Sequence, residues 1–303
     1  MFQQGGSQLR RAMAQPAARL MAALWVLSAA YLAWTGNGVS VVLVTVWVSV
    51  SLVLALLTVR ITIPTPDHTA DVALRRGFVW AQLAVAGAVI ALTGLDALGI
   101  STLGDALGWS RLVAWLRGLG ESLFSVAWVG GPGNAVANPV QYFVIPFGLL
   151  LLLGARPRDV GLGRGRHVWR VCGLWLILPV AVWAVLLVMG VTSLAMIGRR
   201  LLSNALQNGF FEEFLFRGVL QTRLNLLMPG GWALVVQALL FGLWHLGANT
   251  RMMEGNLWAG LALCVISQGV VGIAYGIVFR RTGNLVAPSV AHVVMNALGQ
   301  TFG

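Results

Sequence analysis

The chain has 303 residues, 58% of them hydrophobic and only 10% charged, with a mean hydropathy of +0.83 and a net charge of +11. A soluble domain is about 45–50% apolar and about 25% charged, so this composition excludes a soluble globular protein and implies an all-α, polytopic integral membrane helix bundle. The basic balance is carried entirely by arginine; the arginines gather at the ends of apolar runs, which reports topology and contact with the lipid bilayer rather than a nucleic-acid-binding face. The absence of lysine reads as a codon effect of a GC-rich bacterial genome, and so as a bacterial plasma membrane.

Arg10, Arg11 and Arg19 precede an apolar run that continues past Ala30 without a small-residue cleavage site. That pattern is a retained first span rather than a signal peptide. A span takes about 20 apolar residues, and candidates stand at roughly 18–35, 39–60, 77–95, 139–154, 168–190, 201–228, 231–249, 256–279 and 285–301. The fourth and ninth are short, which predicts eight or nine transmembrane helices. With the N-terminus inside and nine full spans, fourteen arginines fall on the cytoplasmic side: Arg10 to Arg76, the Arg156–Arg170 group, Arg223, Arg280 and Arg281. Arg111, Arg117, Arg199, Arg200 and Arg251 fall opposite, a positive-inside pattern.

Between Asp96 and Pro139, Trp109 through Glu121 has the spacing of an amphipathic interfacial helix with Arg111, Arg117 and Glu121 on its polar side. It serves either as a connector or as a substrate gate, and the Gly130–Asn134 stretch breaks it. The arginine-rich loop from Ala155 to Arg170 divides the chain into N-terminal helices with this connector (1–167) and a C-terminal core (168–303). Cys172 and Cys264 lie in apolar runs and read as buried thiols. Gly269, Gly272 and Gly276 have the spacing of a close helix–helix contact. No internal repeat supports an inverted-repeat transporter.

The stretch from Asn208 to Arg217 sets two carboxylates and an arginine among phenylalanines inside the 201–228 segment. Each such charge costs about 2.5–3.5 kcal/mol at the centre of a membrane helix, so it must pair or do chemistry. Glu213 and Arg217 stand at i and i+4 in the favoured order for an ion pair. Glu212 is turned about 100° away, without a basic partner on its own helix. One carboxylate is therefore committed and one is free.

Of four histidines, His68 and His167 lie in polar loops, whereas His245 and His292 lie within apolar spans. Phe241 stands one turn before His245, and Asn296 one turn after His292. Glutamates, histidines, an asparagine and an arginine spread over three spans are accommodated most cheaply in one shared polar pocket.

Glu212-Glu213-x-x-x-Arg217, Phe241-x-x-x-His245 and His292-x-x-x-Asn296 together resemble the three signature motifs of the CPBP family, the CAAX proteases and bacteriocin-processing (Abi) enzymes that include type II CAAX prenyl endopeptidases. The flank Thr282 to Pro288 is also similar, and the resemblance runs from about Arg199 to Phe302. It implies an intramembrane endopeptidase acting on a membrane-associated protein or peptide. Glu212 would be the general base, His245 would hold the water, and His292 with Asn296 would donate to the oxyanion. Glu213, Arg217 and Phe241 would support them.

Other chemistries fit less well. There is no His-Glu-x-x-His, and Ser289 lacks a nucleophile turn. No cofactor is expected; the alternative is a zinc site at Glu212, His245 and His292. An ion-coupled transporter using the glutamates, or a non-catalytic immunity or scaffold protein on the same fold, remain the alternative functions. A carrier should tolerate loss of Asn296 better than loss of Glu213, whereas a peptidase should not tolerate loss of Asn296.

Overall fold

A computed structural model of the protein describes residues 14–63 and 76–302, and all regular structure among them is helical. Arg10, Arg11, His68 and Arg75 lie outside the described residues. Each of the nine apolar segments contains helix, but not each is a span. Six helices are long and apolar enough to cross a membrane: Pro16–Trp34, Gly38–Ile61, Gly77–Ala97, Asn134–Leu152, Val168–Val188 and Leu257–Thr282. Gly230–Trp244 and Leu246–Met252, bent by 51° where they meet, make a seventh if taken together.

The two segments that keep the count below eight or nine have physical reasons. Val286–Gly299 has 14 residues, about 21 Å at 1.5 Å per residue, against a hydrocarbon core of about 30 Å. The 201–228 segment is not one helix. Asn208, at φ −121° and ψ −79°, ends an amphipathic helix Leu194–Gln207. A second helical run follows as Gly209–Glu213, a π-helix over Phe214–Gln221, and Thr222–Leu227. All eight residues of that π stretch are buried, so it is the axis of the bundle rather than a lipid-facing span.

The bend at His245 is explained by competition for one carbonyl. His245 Nδ1 lies 2.8 Å from the Phe241 carbonyl, the acceptor its own backbone N–H would use in a continuing α-helix. That N–H bonds to the Gly242 carbonyl at 3.0 Å instead, and the helix turns.

Side-chain ties across the bundle define its two rims. At one, Arg170 donates to the Ile61 carbonyl and Gln82 to the Leu153 carbonyl. There too Asn284 donates to Gly163 and Arg280 to Gly230. The buried Arg223 belongs to this rim, donating to Gln82 Oε1 at 2.8 Å and the Asp159 carbonyl at 2.7 Å. The arginine-rich loop is thus packed under the C-terminal helices. At the opposite rim Arg251 donates to the Ala97 carbonyl, Asn138 to Gln207 and Asn204 to Gln300. The connector helix Trp109–Leu123 lies there, buries Val113, Leu116 and Gly120, and is tied by Arg117 to Asp96 at 3.7 Å.

Glycines set the closest crossings around the site. A Cβ on Gly272 would stand 3.0 Å from the Ala238 Cα, and one on Gly242 would stand 2.7 Å from the Cys264 carbonyl oxygen. The second contact is with backbone, which cannot swing aside. Gly242→Ala is therefore expected to destabilise the fold by about 1–3 kcal/mol, read as a lowered thermal midpoint in detergent. An unchanged midpoint would mean that the two helices separate easily there.

Candidate active site

The axial run and the Val286–Gly299 helix cross closely because Gly209 leaves space for Val293 and the Ser289 backbone. That crossing brings the paired glutamates to His292. Glu213 and Arg217 are fully buried, and Arg217 Nη1 donates to Glu213 Oε1 at 2.9 Å. The same carboxylate oxygen lies 2.8 Å from His292 Nδ1. Arg217 also donates from Nη2 to the Gly272 carbonyl at 3.3 Å, an acceptor shared with Gln237 Nε2 at 3.0 Å.

Glu212 faces the other way. Its Oε2 is buried, has no hydrogen-bond partner among the described residues, and stands 3.9 Å from His245 Nε2 and 3.8 Å from His292 Nε2. The free and the committed carboxylate are thus the ones the spacing predicts. The spacing does not predict that Glu213 also holds the second histidine.

Both rings have defined tautomers. The Phe241 carbonyl can only accept, so His245 Nδ1 carries a proton and Nε2 presents a lone pair when the ring is neutral. Glu213 Oε1, which accepts from Arg217 Nη1, is likewise the acceptor facing His292 Nδ1. Phe241 wedges the group together: its ring meets His245 edge-on at 4.8 Å and lies under the Arg217 guanidinium at 4.4 Å. On the far side of His292, Tyr275 stacks on the imidazole at 5.1 Å.

Glu212, Phe241, His245, His292 and Asn296 line one cavity of about 510 Å³. The structure brings all four expected catalytic residues to its wall. Ser289 and His167 are not among the residues lining it. The cavity also takes Tyr142, Trp244, Asn208 and Gln268, none of which the sequence singles out. Tyr142 packs edge-on against Trp244 at 5.1 Å, and Trp244 Nε1 donates to Thr93 at 2.8 Å. The one signal in the sequence was a tyrosine in an apolar span, which packing alone explains equally well.

Three π-helical stretches occur among the described residues, at Val140–Val144, Phe214–Gln221 and Val265–Gly269. The first contributes Tyr142 to the cavity, the third Ser267 and Gln268, and the second begins directly after the two glutamates. Wide turns of this kind are rare and concentrate at functional sites.

Fold and site together define a multi-pass membrane protein that carries a carboxylate–histidine centre inside its helix bundle. Residues 195–298 match the family model for type II CAAX prenyl endopeptidase Rce1-like proteins. The matched stretch, about a third of the chain, contains every one of the expected site residues. Comparison with curated proteins and with solved structures gives no match.

Proposed function

We propose that the protein is an intramembrane endopeptidase in which Glu212 activates water against a peptide bond of a membrane-associated protein or peptide. The observation that carries this reading is the buried, unpartnered Oε2 of Glu212 between two imidazoles. Gaps of 3.8 and 3.9 Å are too long for direct hydrogen bonds and suit one bridging water. Glu212 takes a proton from that water as its oxygen bonds to the carbonyl carbon, and the carbonyl π pair moves onto the carbonyl oxygen. When that pair returns, the C–N bond breaks and the proton held by Glu212 passes to the leaving nitrogen.

Asn296 supplies an N–H donor to the oxyanion, an interaction worth about 3–4 kcal/mol in a dry site. His292 joins it from Nε2 only when doubly protonated, because its Nδ1–H is committed to Glu213. Glu213, 2.8 Å from the Nδ1 of that ring, is the carboxyl group placed to support such a charge. The test is a comparison of protein N-termini in membranes of cells carrying the native chain or Glu212→Gln. Termini present only with the native chain are expected; identical sets would count against a peptidase.

One observation favours a second reading, a zinc hydrolase. With both Nδ1 atoms engaged, the Nε2 atoms of both histidines stand beside Glu212 Oε2, and each histidine has the outer-shell acceptor typical of a metal ligand. The separations of 3.8 and 3.9 Å exceed the roughly 3.4 Å edge of a tetrahedron with 2.1 Å bonds. Among the described residues no group of three or more His, Cys, Asp or Glu is set to hold a metal ion. Cleavage is therefore expected to survive exhaustive chelation, with no metal bound in stoichiometric amount. One zinc per chain, with activity lost on its removal and restored on its return, would make Glu212, His245 and His292 ligands.

A further inference from the structure

The cavity lies against one rim of the bundle. Its wall includes Ala97, Asn138, Asn208 and Ala248, residues of the rim where Arg251 holds the Ala97 carbonyl and Asn138 holds Gln207. The loops of the other rim, at 153–166, 228–230 and 283–285, contribute nothing to it. Along the axial run Glu212 stands four residues from Asn208 and eleven from Arg223, so the reacting end of that helix is the end remote from the arginine-rich loop.

The rims differ sharply in charge. Among the described residues the remote rim carries eleven arginines and one acid, Asp159. The cavity rim carries five arginines balanced by four acids: Asp96, Asp105, Glu121 and Glu254. An arginine excess confined to short loops beside the spans marks the cytoplasmic side. The order of helices agrees when the axial run, which reaches from Asn208 at one rim to Arg223 at the other, and the Val286–Gly299 helix are each counted as passing between the rims, although neither is a long apolar span: every tie within a rim then joins loops on the same face.

We infer that the cavity opens on the extracytoplasmic face, and that its substrate is a membrane-associated polypeptide presenting its bond after crossing the bilayer. A protein lipidated and held on the cytoplasmic surface is then the wrong class of substrate. The orientation stands on charge and geometry alone; the substrate class also rests on the peptidase reading.

Single cysteines in the full chain, expressed in intact cells, test the orientation without any activity assay. Ala248→Cys lies exposed in the cavity wall, Ser122→Cys lies exposed on the connector helix, and Arg164→Cys lies exposed in the arginine-rich loop. The native Cys172 and Cys264 are buried, and the parent chain gives the background. With a membrane-impermeant maleimide mass tag, Ala248→Cys and Ser122→Cys are expected to react in intact cells, and Arg164→Cys only after permeabilisation. Reaction of Arg164→Cys in intact cells, or protection of Ala248→Cys until permeabilisation, overturns the inference. If the orientation holds, termini found only with the native chain should map to extracytoplasmic segments. Their absence would defeat the peptidase reading and leave the labelling result standing, whereas termini mapping to cytoplasmic segments would defeat the substrate class.

Discussion

Glu212→Gln is expected to lower turnover by about 10³-fold while leaving the fold intact, within the range that loss of a positioned general base produces. The amide keeps the size of the side chain but cannot take a proton from water. Its effect on stability should be small or favourable, because the carboxylate it replaces is buried with Oε2 unsatisfied and leaves no partner stranded. The measurement is kcat on a peptide spanning a cleavage site found in cells, alongside the thermal midpoint in detergent. Turnover within tenfold of the parent would remove Glu212 from the chemistry.

Arg217→Met is expected to do the reverse, acting first on the fold. Arg217 and Glu213 are both fully buried, and removing one member of such a pair costs about 3–5 kcal/mol because a charge is left uncompensated. Glu213 would keep only His292 as a partner, and the guanidinium would be lost from the Phe241 ring and the Gly272 carbonyl. Adding Glu213→Gln to Arg217→Met should recover much of the stability without restoring turnover, since His292 would then lack an ionised partner. If the double variant is as unstable as the single one, the pair is held by packing rather than by charge.

Local spacing made half of this site legible. Phe241 with His245, His292 with Asn296, and Glu213 with Arg217 are each one turn apart, so helical periodicity alone places each pair together. The bond from His292 to Glu213 joins residues 79 positions apart, and no local pattern announces it. Tyr142, Asn208 and Gln268 reach the cavity through crossings set by glycines and π turns, which hydropathy does not register. The span count was limited in the same way. Hydropathy marks where helix lies, but it ran through Asn208, where the backbone leaves helical geometry, and through the bend at His245, where a ring nitrogen takes the Phe241 carbonyl from the backbone ladder.

The pairing of Glu213 with a residue only four positions away has a consequence for biogenesis. The axial helix leaves the ribosome before the helices that supply the Gly272 carbonyl and His292, yet it must enter the bilayer with three ionisable groups, Glu212, Glu213 and Arg217, in addition to Arg223 at its rim end. At about 2.5–3.5 kcal/mol each, an insertion machinery weighing that segment alone would meet a heavy penalty. The i, i+4 pair neutralises two of the charges within the helix itself, as soon as one turn has formed. Of the three, only Glu212 then waits for partners that the ribosome has still to synthesise, so the carboxylate we assign to chemistry is also the one whose burial must await the last helices.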